Sequence, residues 1–221
     1  MSSHVPRRSF LARLAATLGV GSATIAIPDV ASAQQAQSHE LDKWIDELKG
    51  KHRQIFDCVT KAHIGEMQYG ANFLTASTND YGYKDEDSSL LFCLRHEATP
   101  YAYNDAMWEK YKIGEVIDVN APRAGDGPPA TAPADSTAAK AMKNPQTRII
   151  TTLAGRGVRF GACALATGRY SGMFARKVGA QQADVRADLA ANLVPNCRLV
   201  PAGVVFVNRA QEKGFTYLHV G

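Results

Sequence analysis

Cys163 has the sequence context that most favours chemistry among the four cysteines of this 221-residue chain. Residues 157–164, Gly-Val-Arg-Phe-Gly-Ala-Cys-Ala, have the pattern of a short strand that ends at Cys163, and a helical pattern follows from about Leu165 to Lys177. A thiol at such a junction lies near the unpaired N–H groups of the helix start. Because those groups and the helix dipole stabilise negative charge, they favour the thiolate, the nucleophilic form of cysteine. The position predicts a reactive thiol, and a small buried core cysteine is the alternative.

Alternating strand and helix patterns would position this thiol. Strands are predicted at 54–59, 88–94, 157–163, 197–200 and 215–220, and helices at 41–48, 65–76, 102–111, 147–155, 165–177, 183–192 and 203–213. Helical crossovers place consecutive strands parallel, in a sheet that is covered on both faces. The sequence therefore predicts a three-layer α/β/α domain with about five mostly parallel strands.

The residues that follow the predicted strands gather at one edge of such a sheet, where ligands of open α/β folds bind. His63 follows the first strand, Arg95, His96 and Glu97 follow the second, and Cys163 ends the third. In one interpretation Cys163 is a nucleophile or sulfur carrier, and His63, His96 or Arg95 supplies positive charge to its thiolate. In another, the cysteine and histidines bind a transition metal or haem iron.

Simpler structural roles remain open for the same side chains. His96 could cap a helix or bond a backbone carbonyl, and Arg95 could pair with Glu97 at the surface. The chain has no Cys-x-x-Cys, His-Glu-x-x-His or Cys-x-x-Cys-His motif and no glycine-rich phosphate loop. No cofactor and no metal site are therefore predicted from motifs.

The other three cysteines have contexts that suggest packing. Cys58 and Cys93 lie inside apolar strand patterns, where a cysteine is more often a small core residue than half of a disulfide. Cys197 begins its strand, so it should lie at the opposite edge of the sheet from Cys163. A disulfide between two of the four stays open at this point.

The first 33 residues have the features of a twin-arginine export signal. Arg7 and Arg8 precede an apolar stretch from Leu14 to Ile27, and Ala31-Ser32-Ala33 provides small residues for cleavage. An uncleaved membrane anchor is the alternative, although the apolar run is shorter than the roughly 20 residues that a spanning helix needs. The sequence predicts export to the periplasm and no membrane association after cleavage.

The remaining chain suits one domain of ordinary size. Cleavage after residue 33 would leave 188 residues with 22 basic and 20 acidic side chains, a balance that argues against a nucleic-acid surface. Residues 34–51 are predicted to hold an N-terminal helix, and 52–221 the α/β domain. Residues 120–140, rich in proline, glycine, alanine, aspartate, serine and threonine, predict a flexible insertion within it.

Several of these segments resemble the DsrE/DsrF-like family. Residues 157–163 resemble that family's strand ending in its sulfur-handling cysteine, and residues 200–205 and 208–217 resemble its C-terminal helix and last strand. Leu94-Arg95-His96, followed by residues 104–108, resembles an exported subgroup of the family. The likeness covers most of residues 52–220.

This resemblance implies a flavodoxin-like α/β domain that assembles into homo- or hetero-oligomers. It further implies that sulfur passes as a cysteine persulfide between partner proteins, a role that maps onto Cys163 alone. We therefore expect a periplasmic protein of sulfur or thiol metabolism, whose Cys163 accepts sulfur from a donor protein and passes it on. A module that binds metal, haem or a small ligand, and an oligomerisation subunit with a buried Cys163, are the alternatives.

Overall fold

Five parallel strands form a single sheet in the part of the chain that the structure, a computed structural model, describes: residues 39–60, 67–117 and 143–220. The strands are β1 (His52–Cys58), β2 (Ser88–Leu94), β3 (Arg159–Cys163), β4 (Cys197–Val200) and β5 (Thr216–Val220). Their order is β4-β3-β2-β1-β5, and every neighbouring pair is parallel. With helices on both faces, this is the three-layer, flavodoxin-like α/β/α fold that the sequence predicts.

The helices of the described residues follow the predicted order with shifted ends, and one short helix that was not predicted, Ile113–Ile117, is added. They are α1 (Lys43–Asp46), α2 (Gln68–Tyr81), α3 (Asp105–Tyr111), α4 (Ile113–Ile117), α5 (Thr147–Gly155), α6 (Ala164–Val178), α7 (Gln182–Ala191) and α8 (Gly203–Glu212), with 3₁₀ helices at Glu40–Asp42, Asp85–Asp87 and His96–Ala102. Two predicted helices have different ends in the structure. The one predicted at 65–76 runs to Tyr81, and the one predicted from 102 begins at Asp105, because the segment before it forms a 3₁₀ helix that contains Pro100.

The direction in which strands are added explains which helices lie on which face. From β1 to β4 each strand is added on the same side of its predecessor, so right-handed crossovers place the connecting helices on one face. The chain then returns from β4 to β5 on the far side of β1, and the same handedness places α8 on the opposite face. Two separate apolar clusters match this division: one contains Phe92 and Phe174, the other Trp44 and Phe206.

The side-chain alternation of the strands supplies both cores. Phe56, Phe92 and Phe160 stack across β1, β2 and β3 on the larger cluster's face, with ring centroids 4.6 and 5.6 Å apart. On the other face the Phe206 ring of α8 lies so close to Gly161 that a Cβ there would be 2.5 Å from it. This contact fixes α8 across the sheet and brings its first residue to the carboxyl ends of β2 and β3.

The described residues all belong to one compact unit, 38–221. None of their helices is long and apolar enough to cross a membrane. The predicted signal at 1–33 and the predicted insertion at 120–140 lie outside the described residues.

Candidate functional site

The strand order creates a switch point between β1 and β5, where ligands of open parallel sheets bind beyond the carboxyl ends. Cys163 ends β3, and Arg95 and His96 directly follow β2. In the parallel sheet these ends meet at one edge, as the sequence predicts. The edge therefore holds the candidate site.

Cys163 is the N-cap residue of α6. Its backbone is extended, with φ −69° and ψ 113°, and its Sγ accepts the backbone N–H of Ala166 at 3.5 Å. A short buried chain holds the helix start beneath it: the Thr167 hydroxyl donates to the Cys163 carbonyl at 3.0 Å and accepts from the Tyr103 hydroxyl at 2.9 Å. Because α6 is 15 residues long, the partial positive charge at its first turn acts directly on the sulfur.

A shallow pocket of about 330 Å³ opens beside this thiol, which is 8% exposed. The pocket is lined by Arg95, His96, Cys163, Leu165, Ala166, Arg169, Ala202, Gly203 and Val204. Arg95 and Arg169 supply positive charge, and none of the described residues that line the pocket is acidic. Leu165 and Val204, 70% and 62% exposed, give it an apolar rim. The surroundings of the thiol are therefore positively charged on one side and apolar at the rim.

His96 lies at this pocket in a strained backbone conformation. Its φ is +53°, in the left-handed region that few non-glycine residues adopt, and its side chain is exposed. The imidazole forms no hydrogen bond to a described residue, so it does not cap a helix or bond a carbonyl within the described part of the chain. Strain of this kind clusters at functional sites.

Asp57 holds Arg95 in place, a contact that the sequence did not predict. Arg95 Nε donates to Asp57 Oδ1 at 2.7 Å and Nη2 donates to Oδ2 at 2.8 Å, while the Tyr217 hydroxyl donates to Oδ2 at 3.0 Å. The hydrogen bond to Asp57 raises the pKa of Arg95. The surface pairing of Arg95 with Glu97, one of the simpler roles considered above, does not form. An aspartate within a buried strand pattern was the signal that could have revealed the pair.

Gly203 lets Arg95 pass beneath the start of α8. A Cβ at position 203 would lie 2.6 Å from the Arg95 Cβ, 2.9 Å from its Cδ and 3.1 Å from Cys93 Sγ. A larger residue would therefore displace the arginine that lines the Cys163 pocket. Glycine at this position is a packing requirement of the site.

The remaining cysteines have the structural placements that were predicted. All four thiols are free, and Cys58 and Cys93 are fully buried. Burial, with the neighbouring Asp57 carboxylate second, raises the pKa of the Cys93 thiol well above its usual value. Cys197 begins β4 and pairs with Phe160, whereas Cys163 pairs with Val200, which puts Cys197 toward the opposite edge. Cys163 is thus separated from Cys197 by position, whereas Cys93 lies close by: its thiol donates to the carbonyl of Gly203, which lines the Cys163 pocket, at 3.5 Å.

The histidines are divided between the described and undescribed parts of the chain. His63 lies outside the described residues, so its place at the edge of the sheet stays a prediction. His219 was expected away from the edge, but in β5 it pairs with Asp57 near the carboxyl end of the sheet. Among the described residues, no group of three or more His, Cys, Asp or Glu side chains is placed to hold a metal ion.

Comparisons with known proteins show no family for this chain. No family model matches the chain, and no curated protein matches it. A solved structure, the protein of unknown function MTH1491 from Methanobacterium thermoautotrophicum, is similar with a TM-score of 0.41 and 14% identity, over 76% of this chain and 99% of that one. A likeness at this level carries no argument about function.

Proposed function

We propose that the protein is a sulfur carrier of the DsrE/DsrF-like type, in which Cys163 accepts a sulfane sulfur and donates it again. The observation that carries the proposal is the position of Cys163 as N-cap of α6, inside a pocket lined by Arg95, His96 and Arg169. A persulfide anion on Cys163 would be stabilised by the same helix-terminal N–H groups and positive side chains as a thiolate.

The proposed step needs no external oxidant. The Cys163 thiolate attacks the outer sulfur of a donor persulfide, R–S–SH, so that a new bond forms between Sγ and that sulfur. The donor's S–S bond breaks, and its electron pair leaves on the donor as the thiolate R–S⁻. Cys163 becomes a persulfide, and an acceptor thiolate reverses the same exchange at the next stage.

The fixed arrangement of groups around Cys163 supports a role as a sulfur carrier more than a role as an enzyme that turns over a substrate. The Tyr103–Thr167–Cys163 chain and the Asp57–Arg95 pair hold the backbone and charges around the thiol in a fixed arrangement. The exposed Leu165 and Val204 at the rim suit contact with a partner that delivers or receives the sulfur. Assembly into a homo-oligomer and export to the periplasm are part of the same proposal, and they rest on the family resemblance and on residues 1–33.

Incubation of the protein with a persulfide donor, followed by intact-mass measurement, tests this function. We expect a mass gain of one sulfur atom that dithiothreitol removes and that the Cys163→Ser variant lacks. A gain that persists in Cys163→Ser would place the chemistry on another thiol.

A further inference from the structure

A second groove lies at the switch point itself, beside the Cys163 pocket. Its volume is about 350 Å³, within the range of small-molecule sites, and it is lined by Asp57, Arg95, Val204, Val207, Gln211 and Tyr217. Arg95 and Val204 line both this groove and the Cys163 pocket. The two cavities are therefore neighbours that share an arginine and an apolar wall.

Arg95 retains donors for a ligand after it has paired with Asp57. The pair uses Nε and Nη2, and Nη1 forms no hydrogen bond to a described residue. The buried Asp57 accepts two hydrogen bonds from Arg95 and one from Tyr217, so the guanidinium is fixed in orientation before any ligand arrives. A pre-oriented arginine with an open edge is suited to a planar anion.

The other lining groups narrow the class of anion. The Gln211 side chain is exposed and its amide forms no hydrogen bond to a described residue, which leaves a second donor for the ligand. The Tyr217 hydroxyl already donates to Asp57, so toward a ligand it can only accept. One guanidinium edge and one amide match a singly charged carboxylate better than a phosphate dianion. Val204 and Val207 offer an apolar wall to an aliphatic chain.

We propose that this switch-point groove binds the carboxylate of a small aliphatic thiol compound whose sulfur end reaches the Cys163 pocket along Val204. The part of this inference that concerns sulfur delivery rests on the proposed function, whereas the binding of the carboxylate does not. The sulfur donor is then a low-molecular-weight persulfide that carries a carboxylate.

Direct binding tests the groove without any sulfur transfer. The probes are 3-(methylthio)propionate and its alcohol counterpart, 3-(methylthio)propanol, titrated into the isotopically labelled protein and followed by NMR. We expect the carboxylate to bind at least about tenfold more tightly, because its hydrogen bonds to Arg95 and Gln211 are charge-assisted. The Gln211 side-chain amide signal should shift with it. Equal affinities, or shifts confined to other residues, would overturn the inference.

Two exposed glutamines provide matched variants that should both fold. Gln211→Ala should weaken binding of the carboxylate probe and leave the alcohol unchanged, whereas Gln181→Ala, at the start of α7, should change neither. Identical binding by the two variants would contradict a carboxylate site at Gln211.

Sulfur delivery is then measured separately. The rate of Cys163 persulfidation is compared between the persulfides of 3-mercaptopropionate and 3-mercaptopropanol, and we expect the carboxylate compound to react faster by a similar factor. Carboxylate-selective binding without any sulfur transfer would support the carboxylate site in the groove and refute the proposed function. Sulfur transfer at equal rates from both compounds, together with unselective binding, would support the proposed function and refute the carboxylate site in the groove.

Discussion

Asp57, on β1, holds Arg95, at the end of β2, through two hydrogen bonds of 2.7 and 2.8 Å. The Asp57 side chain is 2% exposed and that of Arg95 is 25% exposed, so a buried carboxylate on one strand orients a partly exposed cation beside the next. The same cation lines the pocket of Cys163. The electrostatics of the candidate thiol therefore depend on a residue that does not line its pocket.

Replacing Arg95 should lower the free energy of unfolding more than replacing Asp57. Arg95→Ala leaves a buried, uncompensated carboxylate and should lower the free energy of unfolding by about 3 kcal/mol. Asp57→Asn leaves an arginine that can turn toward water, so we expect a smaller loss of about 1–2 kcal/mol. Urea denaturation of the two variants and the double variant measures the coupling. Strictly additive losses would show that the two residues do not interact.

Gly203→Ala tests the close passage of Arg95 beneath α8. The added methyl group would lie within 2.6–3.1 Å of Arg95 and Cys93 atoms, and the resulting strain should cost about 1–3 kcal/mol of unfolding free energy. Gly168→Ala, inside α6, is the matched control. A Cβ at Gly168 would come no closer than 3.8 Å to atoms of Arg186, which is ordinary van der Waals contact. Gly168→Ala should stabilise the protein by about 0.5–1 kcal/mol, because alanine favours the helix. Stabilisation by both substitutions would contradict the packing described at Gly203.

Local sequence patterns predicted the strands well because each is a short segment that contains apolar residues between helical patterns, most continuously in Leu90–Leu94. They predicted the position of Cys163 because the N-cap lies at the boundary of two adjacent patterns. They could not predict the Asp57–Arg95–Tyr217 contacts. Those contacts require β1 to lie between β2 and β5, a strand order set by the return crossover through α8 and by no local pattern. Arg169 was missed because an exposed arginine on a helix is ordinary until the fold places it beside a thiol.

The positive charge around Cys163 should make its reaction with anionic reagents faster than with neutral ones. Arg169→Ala should slow labelling by iodoacetate about three- to fivefold more than labelling by iodoacetamide, since one charge pair at 4 Å in water is worth about 1 kcal/mol. Arg176→Ala, in the last turn of the same helix, is the matched control and should leave the ratio unchanged. An equal change of the ratio in both variants would indicate a general charge effect and not a local one.

Alkaline pH should destabilise the fold through its buried thiol and phenol. Burial raises the pKa of Cys93, and it also raises that of Tyr103 against a smaller opposing effect of the Thr167 hydrogen bond. Both groups stay neutral in the folded chain, while an unfolded cysteine ionises near pH 8.5, at about its ordinary pKa. Stability is thus fully present below that pH and falls as the pH rises above it.

Urea denaturation at several pH values between 7 and 10.5 measures this loss. Cys93→Ala should have a lower stability at pH 7, from lost packing, but a shallower decline above pH 9 than the unmodified chain. Parallel declines in the two proteins would show that Cys93 does not contribute to the pH dependence.

Localisation of a transferred sulfur atom tests the central claim most directly. The protein is exposed to a persulfide donor, and its thiols and persulfides are then alkylated. The peptides that contain Cys58, Cys93, Cys163 and Cys197 are analysed by mass spectrometry. A second sample receives an acceptor thiol after the donor and before alkylation. A carrier should show one added sulfur on Cys163 alone, and that sulfur should appear on the acceptor in the second sample. An unmodified Cys163, or sulfur spread over the other three cysteines, would contradict the assignment.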